Sequence, residues 1–321
     1  MQKGNWAMLT LVMSVSLSVG AQEFPQRPVK FVVGFAPGGG ADNAARQMAQ
    51  KMSEAWAQPV VIDNRAGAGG NLAAEMVAKS APDGYTMLVS SPGPIVTSPF
   101  LYEKLSYDPL KELAPITLIG SGANVMVVNP SAPANNAREF VAWARSKSGS
   151  LNYATSGIGS TPHLAAELFK SATKIDMVHV PYKSAAPALL DVIAGRADVM
   201  VVSMPTVVGQ VKAGKVRALL VAASKRSALM PDVPTSAESG VPGFEVVTWW
   251  GFFAPAGVSA AIINRANQLA VKALHSNEMK ESLGKEGADA VGNSPAEFAA
   301  FIQQESAKWA KVIKSSNIKA E

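Results

Sequence analysis

The first segment whose residue types suggest chemistry is rich in glycine and reads Phe35-Ala36-Pro37-Gly38-Gly39-Gly40-Ala41-Asp42. It follows the apolar run Val29–Phe35 and precedes apolar residues at helical spacing, so we predict a strand, a turn and a helix with Asp42 as its N-cap. Backbone N–H groups and the helix dipole at such a start favour an anion, and glycine lets a ligand approach the backbone. A plain tight turn explains the same residues equally well. The glycines match neither the dinucleotide fingerprint nor the phosphate-binding P-loop.

The second segment is rich in hydroxyl groups and reads Thr155-Ser156-Gly157-Ile158-Gly159-Ser160-Thr161-Pro162-His163-Leu164. It again leads from a predicted strand into a predicted helix, with Ser160 or Thr161 as N-cap and Pro162 as the first helical residue. Hydroxyls and free amides at one helix start favour a carboxylate. Ordinary capping needs only one of these hydroxyls and is the alternative. His163 and Glu167 lack a third ligand, so we predict no metal site.

Catalytic patterns are poorly represented. The chain has no cysteine and three histidines, which excludes thiolate zinc sites and cysteine nucleophiles. There is no G-x-S-x-G elbow, and the S-x-x-K match at Ser171–Lys174 lacks its companion motifs. A secreted hydrolase that uses a serine and His163 is the enzyme alternative, but no base, nucleophile and orienting acid are apparent together.

The elements around these segments alternate between strand and helix, which indicates an α/β fold with a mainly parallel sheet covered by helices. Further strands are predicted at Pro59–Asp63, Tyr85–Ser90, Val125–Val128, Leu151–Ala154, Met177–Val180, Asp198–Ser203 and Ala218–Ala222. Near the C-terminus, Ser294-Pro295-Ala296-Glu297 is a capping box, and the following helix is predicted to run to about Ser315. Its apolar residues lie along one face, so it should pack on the body of the protein.

The N-terminus has the layout of a secretory signal peptide. Lys3 precedes an uncharged run from Trp6 to Val19, and small residues follow before Gln22, so we predict cleavage after residue 21. A membrane anchor is the alternative, although the run is short for a span. Cleavage removes Lys3 from the 321-residue chain and leaves 28 basic and 24 acidic residues in residues 22–321, a net charge of +4. Basic residues are dispersed and no recognition motif is present, so we predict no nucleic-acid binding.

The ordered motifs along the chain resemble the periplasmic solute-binding receptors of tripartite tricarboxylate transporters, often called the Bug family. The resemblance covers essentially the whole chain after residue 21. It is carried by Pro25–Pro28, Phe35–Asp42, Asp63–Gly70, Gly84–Thr86, Gly159–Leu164, His179–Lys183, Pro231–Thr235 and Pro255–Gly257.

The resemblance implies a two-domain Venus-flytrap fold with two crossings, placed near Ser121 and Ala223. Residues 22–121 and 224–321 would form domain 1, and residues 122–223 would form domain 2. The family ligand is typically a carboxylate or dicarboxylate held by backbone amides and water in the interdomain cleft. Carried over by position, the ligand-binding residues would be Phe35, Gly38, Gly39, Gly40, Ala41, Asp42, Ser91, Thr155, Ser160, Thr161, His163, Tyr182, Ser203 and Met204.

Two residues depart from the family pattern. Ala41 stands where a hydroxyl residue is frequent, and Ser184 stands where glycine usually follows Pro-Tyr-Lys. The resulting expectation is a monomeric periplasmic receptor without catalytic activity or cofactor. It would bind a small organic carboxylate, with a di- or tricarboxylate expected, close around it and present it to membrane transporter subunits. An orphan receptor for signalling or scavenging is a further alternative, and the sequence does not name the carboxylate.

Overall fold

The computed structural model describes residues 24–147, 149–315 and 318. The predicted signal peptide, residues 1–21, lies outside the described residues. Within them, no helix combines the length and apolar character needed to cross a membrane. The molecule is an α/β protein in which a curled, mixed sheet is flanked by helices, and the predicted fold class is confirmed.

Within the described residues, ten strands form one connected sheet. In chain order they are β1 Val29–Val33, β2 Val60–Asn64, β3 Thr86–Ser90, β4 Leu113–Val128, β5 Asn152–Thr155, β6 Val178–Pro181, β7 Val199–Ser203, β8 Arg217–Val221, β9 Val247–Pro255 and β10 Asp289–Ala290. The spatial order is β2-β1-β3-β9-β4-β7-β5-β6, and β8 and β10 also pair with β4. The triplets β2-β1-β3 and β7-β5-β6 are parallel, as predicted. Strands β4 and β9 between them pair antiparallel, so the sheet is more mixed than the sequence indicates.

Among the described residues, eleven α-helices flank this sheet. They are α1 Gly40–Trp56, α2 Asn71–Ala78, α3 Ser98–Leu101, α4 Pro109–Glu112, α5 Ala137–Ser146, α6 Thr161–Thr173, α7 Ala185–Ile193, α8 Met204–Lys212, α9 Ala260–Leu274, α10 Asn277–Glu286 and α11 Pro295–Ser315. A 3-10 turn at Ala68–Gly70 and a π-helical turn at Gly93–Thr97 precede α2 and α3. The capping box predicted before α11 is present, because the Glu297 N–H donates to Ser294 Oγ at 3.2 Å and the Ser294 N–H donates to the Glu297 carboxylate at 2.9 Å.

Strand β4 joins the two halves of the sheet. Its residues up to Ala123 pair with β9, whereas those from Asn124 onward pair with β7 and β8. The Asn124 amide Nδ2 donates to the carbonyl of Val246 at 2.8 Å, and the Ala222 N–H donates to the carbonyl of Asn124 at 2.8 Å. The passage through β4 and the passage from Ala222 to Val246 therefore lie side by side.

Strand β9 contributes a tryptophan to the hydrophobic core on each side of the sheet. Successive strand residues face opposite sides of a sheet, so its two tryptophans point in opposite directions. Trp249 packs edge-to-face on Phe298 of α11 at a ring-centroid distance of 6.0 Å, which docks the C-terminal helix as predicted. Trp250 is buried on the other side, among the residues of α1 and β1. Burial of a large aromatic side chain removes 150–250 Å² from water, on the order of 4 kcal/mol, so both tryptophans hold β9 firmly in place.

Candidate functional site

A cleft lies between the two halves of the sheet, where several strands end and helices begin. Its empty volume, which includes the part open to solvent at the mouth, is about 420 Å³. The lining residues are Phe35, Gly39, Gly40, Ala41, Ser91, Ser156, Thr161, Pro162, Ala185, Val202, Ser203, Thr206, Thr248 and Trp250. None of these side chains carries a charge. The cleft therefore offers a ligand neutral hydrogen-bonding groups and apolar surface.

The start of α1 forms one wall of the cleft. Gly39 is the N-cap and no side chain caps the helix. The Gly40 N–H donates to Thr206 Oγ1 at 3.2 Å across the cleft. A Cβ atom on Gly40 would lie 2.7 Å from the Trp250 ring, so the close packing of α1 on β9 requires glycine here.

Asp42 braces this wall from behind and does not line the cleft. The prediction that it is the N-cap is wrong, because the helix already begins at Gly40 and Asp42 lies in its first turn. Its buried carboxylate instead accepts hydrogen bonds from the Gly38 N–H at 3.0 Å, Arg46 Nε at 2.8 Å and Asn64 Nδ2 at 2.8 Å. Burial raises the pKa of Asp42, but these hydrogen bonds outweigh burial and hold the pKa below its ordinary value. The ionised carboxylate thus fixes the glycine turn.

The start of α6 forms the facing wall. Ser160 is the N-cap, Thr161 is the first helical residue and Pro162 follows it. The Thr161 side chain lines the cleft and is buried, and its hydroxyl has no hydrogen-bond partner. Ser160 lies behind the wall, where its hydroxyl donates to the carbonyl of Gly157 at 2.6 Å. Thr161 therefore offers a ligand an unpartnered hydroxyl, and Ser156 of the same segment also lines the cleft.

Two further helices begin at the same cleft. Ala185, the first residue of α7, lines it, and the buried hydroxyl of the N-cap Ser184 has no hydrogen-bond partner. Ser203, the N-cap of α8, also lines the cleft, and its hydroxyl lies 3.1 Å from Thr206 Oγ1. No side chain caps either helix. Met204 points away from the cleft and accepts a hydrogen bond from Ser227 Oγ at its sulfur, 3.3 Å away.

Four helices, α1, α6, α7 and α8, thus direct N-termini without side-chain caps at one enclosed space. The first N–H groups of a helix have no partner inside it, and the helix dipole places partial positive charge there. Together these starts favour an anion, and a carboxylate fits their donors.

The histidine and tyrosine of the predicted site lie outside the cleft wall. His163 is buried in a ring stack, where burial lowers its pKa to about 4. Tyr182 donates to the Asp191 carboxylate at 2.5 Å, and burial together with that contact raises its pKa to about 12. Among the described residues, no group of three His, Cys, Asp or Glu side chains could hold a metal ion. The geometry does not place a histidine base beside a serine of the cleft, which is what the hydrolase alternative needs.

The structure brings half of the predicted site residues to the cleft wall. These are Phe35, Gly39, Gly40, Ala41, Ser91, Thr161 and Ser203. The other seven are not among the lining residues: Gly38, Asp42, Thr155, Ser160, His163, Tyr182 and Met204. Sequence reasoning missed Ser156, Pro162, Ala185, Val202, Thr206, Thr248 and Trp250. Ser156 and Pro162 lie inside a segment already singled out, whereas Thr248 and Trp250 reach the cleft through the pairing of β9.

Comparisons with known proteins point in one direction. A family model described as "Tripartite tricarboxylate transporter family receptor" matches residues 44–318. The protein BugT of Bordetella pertussis is 35% identical over 306 residues, which is 95% of this chain and 94% of BugT. A protein encoded in the tcbD-tcbE intergenic region of Pseudomonas sp. strain P51 is 37% identical, with coverage of 96% and 92%.

Solved structures agree with these relatives. R. palustris Rpa4515 with adipate has a TM-score of 0.90 at 36% identity, covering 92% of this chain and 99% of that one. MatC from Rhodopseudomonas palustris with bound malate has a TM-score of 0.87 at 35% identity, with coverage of 90% and 100%. The periplasmic binding protein BugD has a TM-score of 0.89 at 32% identity, with coverage of 93% and 100%.

Proposed function

The chain belongs to the tripartite tricarboxylate transporter receptor family, and from that premise we propose that it captures a small organic carboxylate in the periplasm. The protein would hold the ligand in the cleft and deliver it to the membrane subunits of a transporter. We propose that it acts as a monomer. The proposal assigns it no catalytic step.

The observation that carries the proposal is the convergence of four uncapped helix starts on a cleft without charged side chains. A carboxylate would accept hydrogen bonds from the amides of Gly39 and Ala41 on one wall and from the Thr161 hydroxyl on the other, while the Gly40 N–H already donates to Thr206 Oγ1. Hydrogen bonds to an ionised acceptor contribute roughly 1.5–3 kcal/mol each, more than neutral ones do. Neutral donors also avoid the cost of burying an unpaired positive charge when the cleft is empty.

The shape of the lining favours a dicarboxylate. Hydroxyls and amides occupy the helix starts, and the apolar side chains of Phe35, Val202 and Trp250 lie among them. A ligand with an acidic group at each end and carbon between would match both kinds of surface. Adipate and malate, named with two of the similar structures, are diacids and support this class.

Closure around the ligand is part of the proposal. Besides the Gly40–Thr206 bond, Thr97 Oγ1 donates to the carbonyl of Gly159 at 2.8 Å, so loops attached to opposite halves of the sheet already touch. We propose domains of residues 22–121 with 224–321, and 122–223, as the sequence predicts. The adjacent backbone passages at Asn124 and between Ala222 and Val246 are then the hinge.

Thermal unfolding of residues 22–321 with a ligand panel tests the function. The panel contains adipate, malate, other mono-, di- and tricarboxylates, amino acids and neutral sugars. A ligand at 100 times its Kd stabilises the folded protein by about 2.7 kcal/mol, which raises the melting temperature by several degrees. We expect a shift with a subset of the diacids and none with sugars. A folded, ligand-free protein that no carboxylate stabilises would overturn the proposal.

A further inference from the structure

A stack of three aromatic rings lies directly behind the loop between β5 and α6. The ring of Tyr153 lies 4.9 Å from that of His179, and the ring of His179 lies 4.4 Å from that of His163, with angles of 10° and 22° between the planes. The proposed function leaves these two histidines without a role, since neither lines the cleft. They are two of only three histidines in the chain.

Both imidazoles hold the backbone of this loop. His163 Nδ1 accepts a hydrogen bond from the Gly159 N–H at 3.3 Å. His179 Nε2 lies 2.7 Å from Thr155 Oγ1, and that oxygen accepts from the Gly157 N–H at 3.2 Å. The two amide groups are thereby turned away from the cleft and satisfied from behind.

The loop needs such support because its backbone is unusual. Gly157 and Gly159 have φ values of +112° and +77°, in a region that favours glycine, and glycine adds conformational freedom. Ser156, just before these glycines, and Thr161, just after them, line the cleft. A loop of this kind can present its donors in one fixed arrangement only if other groups hold its remaining amides.

We propose that His163 and His179 are positioning residues that hold the ligand loop 155–161 in its binding arrangement without touching the ligand. The inference rests on the proposed function, because it concerns the same cleft. It requires the neutral form of His163 with the proton on Nε2, since only an unprotonated Nδ1 can accept from the Gly159 N–H.

The surroundings favour that neutral form. The pKa of both rings is lowered to about 4, mainly by burial; the charge of Lys170 also lowers it, Glu167 raises it, and His163 further lowers that of His179. Lys170 also lies over the ring of Tyr153, and the Tyr153 hydroxyl donates to the Glu167 carboxylate at 2.5 Å. At neutral pH the two imidazoles therefore act as uncharged hydrogen-bonding groups.

The ring state can be tested without any ligand. Long-range 1H–15N spectra of the histidine side chains at pH 7 should show His163 with an unprotonated Nδ1, and a titration should leave the ring neutral to below pH 5. Assignment comes from the spectrum of His163→Asn, which lacks the His163 signals. A proton on Nδ1, or a ring that titrates near its ordinary pKa, would overturn the inference.

The effect on binding is tested with a set of matched variants. The probe is adipate, or malate if adipate does not bind. His163→Leu removes the acceptor and leaves the Gly159 N–H unpaired, so we expect about tenfold weaker binding. His163→Asn places an oxygen near the position of Nδ1 and should bind within about threefold of the wild type. His275→Leu, at an exposed histidine on α9's C-terminal end, serves as the control and should leave affinity unchanged.

The outcomes separate the two proposals. Equal binding by His163→Leu and the wild type, or equal losses in the Leu and Asn variants, would contradict the positioning role. Failure of the wild type to bind any carboxylate would instead contradict the proposed function, and the ring spectra would still decide the state of His163.

Discussion

Helices that begin at the cleft differ from five of the seven described helices that begin elsewhere on the molecule, since only α2 and α3 among those seven also lack a side-chain cap. At α5, α9 and α10, the side chains of Asn136, Ser259 and Ser276 accept hydrogen bonds from first-turn N–H groups. Asp108 does the same at α4, and Ser294 at α11. None of the four helices that begin at the cleft is capped by its own N-cap side chain, and at α1 the Gly40 N–H donates instead to Thr206 Oγ1 of α8.

The difference shows where the sequence gives up stability for binding. A side-chain cap contributes about 1 kcal/mol, and serine is available at three of the four cleft positions. Ser160 bonds a carbonyl instead, Ser203 lies against Thr206, and Ser184 has no partner. Except for the Gly40 N–H, which donates to Thr206 Oγ1, the first amides of these helices are thus left for a ligand, as expected for sites that break local rules for function.

The largest effect is expected at Gly69, where the glycine-rich turn after β2 meets the ligand loop. A Cβ atom on Gly69 would lie 2.2 Å from the carbonyl oxygen of Ile158, which backbone cannot easily avoid. Gly214, in an outward turn, has nearly the same φ, +68° against +63°, but nothing lies near its Cβ position. Alanine at either position therefore carries a similar backbone strain of about 1 kcal/mol, and only Gly69→Ala adds a clash across the cleft.

We expect Gly69→Ala to weaken carboxylate binding by roughly a hundredfold, because apparent affinity falls with the fraction of molecules that can close. Gly214→Ala should bind as the wild type does, with a similar loss of melting temperature. Isothermal titration and thermal unfolding of the pair measure both quantities. Equal affinities in the two variants would show that this contact does not control binding.

Variants of Thr161 and Ser276 separate an effect on ligand affinity from an effect on folding stability. Thr161→Val keeps the shape but removes an unpartnered cleft hydroxyl, so affinity should fall about tenfold while stability is kept or rises. Ser276→Ala removes a cap from α10, so stability should fall by about 1 kcal/mol with unchanged affinity. Denaturant unfolding and titration of both variants provide the comparison. A cleft variant that loses stability but not affinity would place Thr161 among the structural caps.

Local signals in the sequence were sufficient for the two main walls. Glycine and hydroxyl residues between a strand and a helix indicated the starts of α1 and α6, and the alternation of elements indicated the α/β class. Asp42 was assigned wrongly because its side chain reaches back to the Gly38 N–H from within the first turn, a choice that spacing alone does not distinguish.

The remaining wall depends on contacts between distant segments. Trp250 and Thr248 reach the cleft through the pairing of β9 with β4. Gly120 lies opposite Trp250, and Gly122 lies opposite Thr248. Strand β7 pairs with β4 and ends at Ser203, opposite Asn124, and this places Thr206 of the following helix against α1. Register between strands about 70 to 140 residues apart in the chain is set by the whole sheet, so no local pattern carries this information.

The smallest effect is expected at Ser184, one of the two departures from the family pattern. Its hydroxyl is buried without a partner beside Ala185 of the cleft wall, whereas Ser239 has an equally unpartnered hydroxyl away from the cleft. Removal of either hydroxyl should stabilise the unliganded protein by up to about 1 kcal/mol, because each now lacks a hydrogen bond. Only Ser184→Ala should also weaken binding, by about threefold, since its hydroxyl can donate to a ligand at the start of α7. Titration of Ser184→Ala against Ser239→Ala isolates that contribution, and equal affinities would mean that the departure at Ser184 is unrelated to ligand choice.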